Sequence, residues 1–558
     1  MITYITGYSE AKMQEIKENP YYAKKLACII AEADKWMTKE PPRIKYSEMH
    51  LVETTGNRSI YEQHWYEYLR GTRYLSLAYG FTKDMKYIEP LADLIWNICN
   101  MESWAIPYHV KEKEPLDKRY RWLELISSNV GKDLADALFF TEDVLPDLVV
   151  RRVKAQVRER IIEGYKMYDQ WWMRTENNWA SVCIFGVLAS YLYFATEEEI
   201  KDQLPRMLAV ADNFLKGFDA DGCCLEGYGY WNYGFSHYCY FADMVRNYTK
   251  GEINLFDNPR VHDIAKFQEN CAINDNQCIR FADCASDRFE PVTFFAHFLK
   301  NIYPDVQIPA SGIPDDGASD IRSFLWLDPS LQDAKMDGLE SRIYHDAQWF
   351  IYRSKKYNAV CKAGSNNEFH NHNDVGSFMI SKGGRVTFTD PGGGEYTSQY
   401  FDYVERYKIL ECSARSHSVP IINGILQKEW LKKKSTIYTE KENEYEFSME
   451  NGYVIDTLKS LKRNFLCEEE GITVTDTYEF SEMPTSVVER FVTLEEPRFE
   501  EGKVIVGESI LIYDPALYDF EFSTDTCVRK GQIKETLYIF DFKAKKLDTN
   551  MCLQFKFI

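Results

Sequence analysis

The sequence predicts a multi-domain α + β protein. An N-terminal incomplete (α/α) toroid of helical hairpins is expected over residues 1–335, followed by a C-terminal antiparallel β-sandwich over residues 336–558. Three observations indicate this fold class. The chain has 558 residues, which is too long for one ordinary hydrophobic core. Apolar residues recur with a helical period up to about residue 335, and with a period of two from about residue 340 onward.

The N-terminal half is predicted to be helical. Its segments place apolar residues at i, i+3, i+4 and i+7, which is the spacing of one face of an α-helix. Several segments follow one another in pairs with short connectors, which favours antiparallel helical hairpins. They differ too much from one another for a solenoid of short repeats. Typical segments are MQEIKENPYYAKKLACIIAEADKWM (13–37), YEQHWYEYLRGTRYLSLAYGF (61–81) and WASVCIFGVLASYLYF (179–194).

The C-terminal half is predicted to be a large antiparallel β-sandwich. Apolar and polar residues alternate in many short runs, such as GSFMISKGGRVTFTD (376–390), and GG, NG and EEG turns separate the runs. So many antiparallel signals in about 200 residues are typical of a sandwich. The stretch WLDPSLQDAKMDGL (326–339) is the expected seam between the two halves.

Composition excludes some classes of partner. The formal net charge is −20, so the chain lacks the broad basic surface that nucleic acid or an anionic membrane requires. A small acidic substrate needs only a local basic cluster and is not excluded. The 38 tyrosines and 12 tryptophans are typical of carbohydrate sites, although most of them should lie in the core.

No targeting signal is evident in the sequence. The N-terminus lacks a basic region followed by an apolar run, and no stretch approaches the roughly 20 apolar residues of a membrane span. The 14 cysteines are scattered without a CxxC pair. We therefore expect reduced thiols and a cytoplasmic location, or a periplasmic or secreted one if a leader has been removed.

The stretch NEFHNHNDVGSFMI (367–380) carries the densest chemical signal. His370 and His372 are two residues apart and would face the same side of a strand. Asp390 follows in TFTDPGGGEY and His417 in ARSHSVP. Two imidazoles and a carboxylate form a zinc-type ligand set. The residues alone leave a second interpretation open, in which His372 and His417 are core histidines and Asp390 begins a turn.

These motifs resemble the signature of the heparinase II/III-like polysaccharide lyases. The C-terminal part of the resemblance is HNHNDVGSF, then DPGGGEY, then RYKILECSARSHSVPIING. Segments of the N-terminal half are also similar and keep the family's order over roughly residues 100–425. They are WAIPYHV (104–110) with LISSNVGKDLADAL (125–138), NNWASVCIFG (177–186) and DGCCLEGYGYWNYG (221–234).

The resemblance implies metal-independent β-elimination at a uronic acid, in a cleft between the toroid and the sandwich. Such chemistry needs a neutralised C6 carboxylate, a base for the C5 proton and an acid for the leaving C4 oxygen. Matched by motif, Asn178 would neutralise the carboxylate and His370 would be the base or its partner. Tyr230 would be the acid, and for some uronate epimers both acid and base. Tyr228 and Tyr233 are its rivals within the same segment.

The resemblance also implies a structural metal and further contacts with substrate. His372, Asp390 and His417 match positions at which some family members hold zinc or another divalent metal, and no organic cofactor is implied. The predicted substrate-binding residues are His109, Trp179, Glu226, Tyr233 and Arg406.

One position departs from the family pattern. Many members follow the asparagine with a catalytic histidine, whereas Trp179 follows Asn178 here. His109 or His237 could supply the missing function, or a tyrosine could carry out both proton transfers.

The predicted function is therefore a lyase that acts on an acidic oligo- or polysaccharide. Three alternatives stay open: a uronate C5-epimerase, a glycoside hydrolase using two carboxyls such as Glu226 and Glu368, and a non-catalytic glycan-binding protein. Trp179 favours the last. Neither the sugar nor the oligomeric state can be predicted, and a homodimer is one option.

Overall fold

The structure is a computed structural model, which describes residues 4–55, 59–110, 120–274, 276–284, 292–310 and 320–558. The chain divides into two compact units. The helical unit comprises Met1–Gly217, Asn232–His262 and Pro291–Ala334. The β unit comprises Lys335–Ile558 and two short earlier segments, Phe218–Trp231 and Asp263–Glu290.

Helices account for most of the first half of the chain. In chain order they are α1 (Glu10–Glu18), α2 (Ala23–Lys35), α3 (Tyr46–Thr55), α4 (Ser59–Thr82), α5 (Ile88–Asn100), α6 (Leu125–Thr141), α7 (Asp147–Val157), α8 (Glu163–Met167), α9 (Asn178–Phe194), α10 (Glu197–Lys216), α11 (Tyr228–Tyr248), α12 (Pro259–Ala265), α13 (Phe267–Cys271), α14 (Thr293–Ile302) and α15 (Arg322–Leu325). None of these helices combines the length and apolarity that a membrane crossing requires.

Helix α6 lies at the centre of the helical unit and packs against both α4 and α9. Glycines allow α6 and α9 to approach closely. A β-carbon on Gly186 would overlap the carbonyl oxygen of Ser128, and one on Gly131 would overlap the hydroxyl of Ser190. Larger residues at either glycine would force the two helices apart.

Helix α9 is buried on nearly every side, as its almost uninterrupted apolar sequence predicts. The side chain of Asn177 caps its N-terminus by accepting a hydrogen bond from the backbone N–H of Trp179 at 3.2 Å. The cap places Asn178 and Trp179 in the first turn of this helix.

The β unit contains the strands of the second half and one short hairpin from the first. The strands are β1 (Ala272–Asn274), β2 (Gln277–Cys278), β3 (Arg342–Tyr344), β4 (Trp349–Arg353), β5 (Tyr357–Lys362), β6 (Phe378–Lys382), β7 (Arg385–Phe388), β8 (Ile421–Ile422), β9 (Ile437–Lys441), β10 (Glu444–Ser448), β11 (Leu458–Glu468), β12 (Gly471–Phe480), β13 (Val487–Thr493), β14 (Arg498–Glu500), β15 (Lys503–Val506), β16 (Ser509–Ile512), β17 (Tyr518–Arg529), β18 (Ile533–Ala544) and β19 (Asn550–Phe557).

These strands form three larger sheets. An eight-stranded sheet has the order β14-β15-β16-β19-β12-β11-β10-β9, a four-stranded sheet β17-β18-β13-β8 and a five-stranded sheet β3-β4-β5-β6-β7. Neighbouring strands such as β11 and β12 pair antiparallel. The predicted fold class, a helical N-terminal part followed by antiparallel sheets, is confirmed.

Phenylalanines from all three sheets meet in the core of the β unit. Phe378 lies on β6, and its ring centroid is 5.4 Å from that of Phe465, 5.7 Å from that of Phe491 and 5.6 Å from that of Phe557. Each is fully buried. Along β11 and β19 the buried residues alternate with more exposed ones, which is the period-two pattern that predicts such strands.

Candidate active site

The two neighbouring histidines lie in a loop rather than on a strand. Residues 363–377 connect β5 to β6, and β6 begins only at Phe378. The backbone of His370 has φ of 54°, in the left-handed region that non-glycine residues rarely adopt. The same-side geometry of a strand therefore does not apply. Instead, both imidazoles reach a single carboxylate, that of Asp283.

Glycines of two predicted motifs let the backbone around Asp283 come close. A β-carbon on Gly227, in LEGYG, would lie 2.7 Å from the carbonyl oxygen of Phe281. One on Gly393, in DPGGG, would lie 3.0 Å from the carbonyl oxygen of Asp283. The Gly393 N–H also donates to the carbonyl of Cys284 at 2.9 Å. The three segments assemble only because neither glycine has a side chain.

Asp283 is the hub of the cluster. Its side chain is fully buried. Oδ2 lies 2.5 Å from Nδ1 of His370, and Oδ1 lies 3.2 Å from Nε2 of His372 and 2.6 Å from Nη2 of Arg406. The hydroxyl of Tyr400 also donates to Oδ1. Oδ1 of this carboxylate thus meets three donors, and Oδ2 meets the imidazole of His370.

These contacts shift the pKa values of both partners. Burial opposes ionisation of Asp283, but the charge of Arg406 and the hydrogen bonds from the two histidines outweigh it, so its pKa lies well below the usual range. Burial would lower the pKa of His370, but its hydrogen bond to Asp283 and the charge of that group raise it overall. The imidazole of His370 is still 24% exposed, so substrate can reach it.

Among the three candidate tyrosines of residues 221–234, Tyr230 is the one that contacts His370 within the β unit. Its ring stacks on His370, with centroids 4.3 Å apart and planes at 29°. The hydroxyl of Tyr396 donates to the hydroxyl oxygen of Tyr230 at 3.0 Å, which leaves the proton of Tyr230 available to another acceptor. Burial, followed by the charge of Asp283, raises the pKa of Tyr230, so its phenol is protonated at neutral pH.

The two rival tyrosines have other surroundings. Tyr228 is buried and stacks on Trp231 at 5.6 Å. Tyr233 belongs to the helical unit, is 39% exposed and lies against His237, with ring centroids 5.0 Å apart.

The two candidate carboxyls have different electrostatic neighbours. Burial raises the pKa of Glu226, with His370 lowering it and Asp283 raising it. Burial also raises the pKa of Glu368, whose main charged neighbour is Lys362. The Glu368 carboxylate accepts a hydrogen bond from the backbone N–H of Ser365 at 3.1 Å. Glu226 therefore feels the charges of His370 and Asp283, whereas Glu368 contacts its own loop.

A second cluster contains the three predicted metal ligands and one more. His372, Asp374, Asp390 and His417 are all buried, and one potential ligand atom from each lies within 4.8 Å of the others. We call these four residues the metal cluster. Four nitrogen and oxygen donors at such separations can hold a metal ion.

The hydrogen bonds of the metal cluster test whether it fits a metal. Nδ1 of His372 and Oδ2 of Asp374 have no hydrogen-bond partner within the described residues, whereas Oδ1 of Asp374 pairs with Nζ of Lys362 at 2.9 Å. His417 contacts the carbonyl of Glu411 through Nε2 at 3.0 Å. Its Nδ1 lies 2.9 Å from Oδ2 of Asp390, and a bound metal would displace the proton that this nitrogen shares with the carboxylate. Lone pairs that converge in this way favour a bound cation, so the residues fit a metal.

Three further predicted residues lie together in the helical unit. Asn178 is 8% exposed in the first turn of α9. The ring of Trp179 packs edge-on against His109, with centroids 4.7 Å apart, and against Trp171 at the same separation. Nδ1 of His109 lies 2.7 Å from the buried carboxylate of Glu124, which caps α6. Here His109 borders the tryptophan that departs from the family pattern.

A comparison with known families finds a match for most of the second half of the chain. Residues 336–550 match the family model described as Heparinase II/III-like, C-terminal. This part of the chain is similar to the C-terminal domain of heparinase II/III-like proteins. No curated protein matches the sequence.

Solved structures of similar fold extend over nearly the whole chain. A heparinase III, the BT4657 gene product, matches with a TM-score of 0.65 at 13% identity, covering 99% of this chain and 93% of that one. A mutant of the heparan sulfate lyase HepC from Pedobacter heparinus matches with 0.63 at 13%, covering 99% and 90%. A chondroitin AC lyase of Streptomyces coelicolor, in complex with chondroitin sulphate, matches with 0.58 at 10%, covering 98% and 82%. At such identities these matches show the fold.

Sequence reasoning missed several residues of the candidate site. Asp374 is two residues beyond His372 in the motif itself, so its position could have indicated a fourth ligand. Tyr396 is the last residue of the DPGGGEY motif, so its position could also have been noticed. Asp283 and Tyr400 had no such signal, since the interactions that place them are long-range.

The structure also changes the picture of Arg406. It is 7% exposed, and its guanidinium contacts Asp283 together with the backbone carbonyls of His370, Asn371 and Tyr400. Its hydrogen-bonding groups are therefore directed at the protein.

Proposed function

We propose that the protein is a polysaccharide lyase that cleaves uronic-acid-containing glycans by β-elimination. One observation carries the proposal most directly. A partly exposed imidazole, held by a buried carboxylate, lies in ring contact with a protonated tyrosine. These are a base and an acid on one site, as the reaction requires. The heparinase II/III-like family and the lyase folds of the structural matches support the same reaction class.

In the proposed reaction, His370 removes the C5 proton of the uronate through Nε2. The electron pair of the broken C–H bond forms the C4–C5 double bond, and the C4–oxygen bond breaks. Tyr230 transfers its phenolic proton to the departing oxygen. The step therefore leaves an imidazolium and a phenolate, and a proton returned from His370 to Tyr230, directly or through water, restores the site.

Tyr230 suits the acid role better than the base role. Its raised pKa keeps it protonated before the reaction. The hydrogen bond that it accepts from Tyr396 at 3.0 Å would strengthen as its oxygen becomes a phenolate. The paired histidine then serves as base, and one tyrosine need not carry out both transfers.

Asn178 is proposed to bind the C6 carboxylate. Its amide can donate hydrogen bonds to an anion, and it lies at the positive end of α9, a buried 17-residue helix. His109, Trp179, Glu226 and Tyr233 remain proposed contacts with the sugar. For Arg406 we propose an indirect role through Asp283.

The metal cluster is proposed to bind zinc. His372 and His417 would supply two nitrogens, and Asp374 and Asp390 two oxygens, in a ligand set of the size that structural zinc prefers. A zinc ion supplies binding energy that ties folded segments together. Here it would join the loop before β6 to the segments around Asp390 and His417. The elimination step does not need it.

Digestion of a panel of glycans tests the proposed function. Heparan, hyaluronan, chondroitin, alginate, ulvan and pectic fragments should include at least one polymer whose cleavage generates the near-ultraviolet absorbance of an unsaturated uronate. The activity should disappear in His370→Ala and persist in His345→Ala. His345 is a matched control because it also pairs with a carboxylate in the β unit, Glu440 at 2.9 Å, but is 68% exposed.

The results also separate the alternatives. Deuterium incorporation at C5 without chain cleavage would indicate an epimerase, and cleavage without the new absorbance a hydrolase. Binding without any turnover would indicate a glycan-binding protein. Any of these results would overturn the lyase proposal.

A further inference from the structure

The carboxylate of Asp283 contacts members of two different clusters. Oδ2 lies 2.5 Å from Nδ1 of His370, the proposed base. Oδ1 lies 3.2 Å from Nε2 of His372, a member of the metal cluster. An ionised carboxylate only accepts hydrogen bonds, so the imidazole nitrogen that faces it must carry a proton.

This requirement sets the tautomer of each neutral imidazole. With its proton on Nδ1, His370 has its lone pair on Nε2, the nitrogen that the proposed reaction uses. With its proton on Nε2, His372 has its lone pair on Nδ1, the atom without a hydrogen-bond partner among the described residues. A carboxylate behind a metal-binding histidine orients the ring in this way in many metal sites.

We propose that Asp283 is a positioning residue that sets the orientation and tautomer of both histidines, so that proton transfer and metal binding depend on one carboxylate. The His370 half of this proposal rests on the proposed lyase function. The His372 half does not, because it concerns the affinity for a metal. The two halves can therefore be tested separately.

The contacts at the two oxygens are unequal, which makes asparagine an informative substitution. Three donors face Oδ1, from His372, Arg406 and Tyr400, whereas among the residues that the structure describes only His370 faces Oδ2. The amide oxygen of an asparagine should therefore take the Oδ1 position, with its NH₂ facing Nδ1 of His370. Because that NH₂ is a donor, His370 would have to carry its proton on Nε2. This nitrogen would then have no lone pair with which to remove the C5 proton.

Asp283→Asn and Asp283→Ala should consequently differ. In Asp283→Asn, kcat should fall about 10²- to 10⁴-fold with KM changed by less than about threefold, while zinc affinity stays within about tenfold of wild type. In Asp283→Ala, zinc affinity should also fall, by about 10- to 100-fold, because His372 loses its orienting partner.

The experiment measures zinc affinity by competition with a chelator, kcat and KM on a cleaved glycan, and histidine tautomers by NMR of the full-length, ¹⁵N-histidine-labelled protein. Asp476→Asn is the matched control. Asp476 is also a buried carboxylate of the β unit bound to an arginine, with Oδ1 2.8 Å from Nε of Arg463. This variant should lose thermal stability but keep kcat, zinc affinity and both tautomers.

Wild-type kcat in Asp283→Asn would overturn the His370 half of the proposal, and wild-type zinc affinity in Asp283→Ala would overturn the His372 half. Failure of the lyase function would be recognised separately. Wild-type protein would then cleave no glycan, and the zinc titration and the NMR tautomers would still decide whether Asp283 positions the histidines. A wild-type protein that binds no zinc would contradict the His372 half directly.

Discussion

Replacing Tyr230 by phenylalanine tests the proposed general acid with a minimal change to the site. Phenylalanine keeps the ring that stacks on His370, with centroids 4.3 Å apart, and removes only the hydroxyl. Loss of a positioned general acid lowers the rate by about 10²- to 10⁴-fold, equivalent to about 3–5.5 kcal/mol of transition-state stabilisation. We expect kcat to fall by this factor and KM to change by less than about threefold.

Tyr396 provides the matched comparison. Its hydroxyl donates to Tyr230 at 3.0 Å, and one such hydrogen bond contributes about 1 kcal/mol, or about fivefold in rate. Tyr396→Phe should therefore slow the reaction far less than Tyr230→Phe. Because this hydrogen bond acts only through the Tyr230 hydroxyl, the double variant should be no slower than Tyr230→Phe alone.

The assay is the initial rate of near-ultraviolet absorbance on a cleaved glycan, for wild type and the three variants. Tyr230→Phe with a rate within about fivefold of wild type would refute the acid assignment, since that loss is the size of one hydrogen bond. A larger loss in Tyr396→Phe than in Tyr230→Phe would transfer the role to Tyr396.

Three further outcomes are expected. Removal of metal by a chelator should lower the melting temperature, and zinc should restore it. A ligand at about 1,000 times its Kd stabilises a protein by about 4 kcal/mol, which is large enough to measure. A melting temperature that neither treatment changes would contradict metal binding by the metal cluster. Burial lowers the pKa of the His297 imidazole from its usual 6.5 to about 4. Between these two pH values only the unfolded state takes up the proton, so the free energy of unfolding should fall by about 1.4 kcal/mol per pH unit as the pH drops from about 6.5 to about 4. Above about pH 6.5 this group should make no contribution to the pH dependence. His297→Gln should remove this part of the pH dependence in denaturant titrations, and an unchanged slope would count against it. Gly186→Ala should destabilise the helical unit by about 1–3 kcal/mol because its β-carbon would overlap the Ser128 carbonyl, whereas Gly229→Ala, whose β-carbon meets no atom within 4 Å, should not.

The fold could be predicted because it follows from local periodicity. Strand β11 (Leu458–Glu468) alternates between buried and more exposed positions along nearly its whole length, and α9 is apolar on nearly every face. Such patterns need no knowledge of distant residues. The hairpin formed by Ala272–Asn274 and Gln277–Cys278 was missed within the predicted helical half, because two- and three-residue strands are too short to show a period.

The candidate site could be predicted only where a motif holds its residues together. The motif around His370 and His372 identified both histidines. It did not show that they lie in a loop, because the left-handed backbone of His370, with φ of 54°, has no signature in the sequence. Asp283 could not be found at all. Its position depends on close backbone approaches at Gly227 and Gly393, more than 50 and 100 residues away along the chain.

The origin of the oxygen atoms in the cleavage products tests the central claim most directly. A cleaved uronide should be digested in water labelled with heavy oxygen, and the products weighed by mass spectrometry. β-Elimination adds no water, so products sampled before the new reducing-end hemiacetal exchanges its oxygen with the solvent should contain no heavy oxygen. The new non-reducing end should be lighter by one water molecule than the hydrolysis product. Heavy oxygen in the products with saturated ends would show hydrolysis and contradict the account.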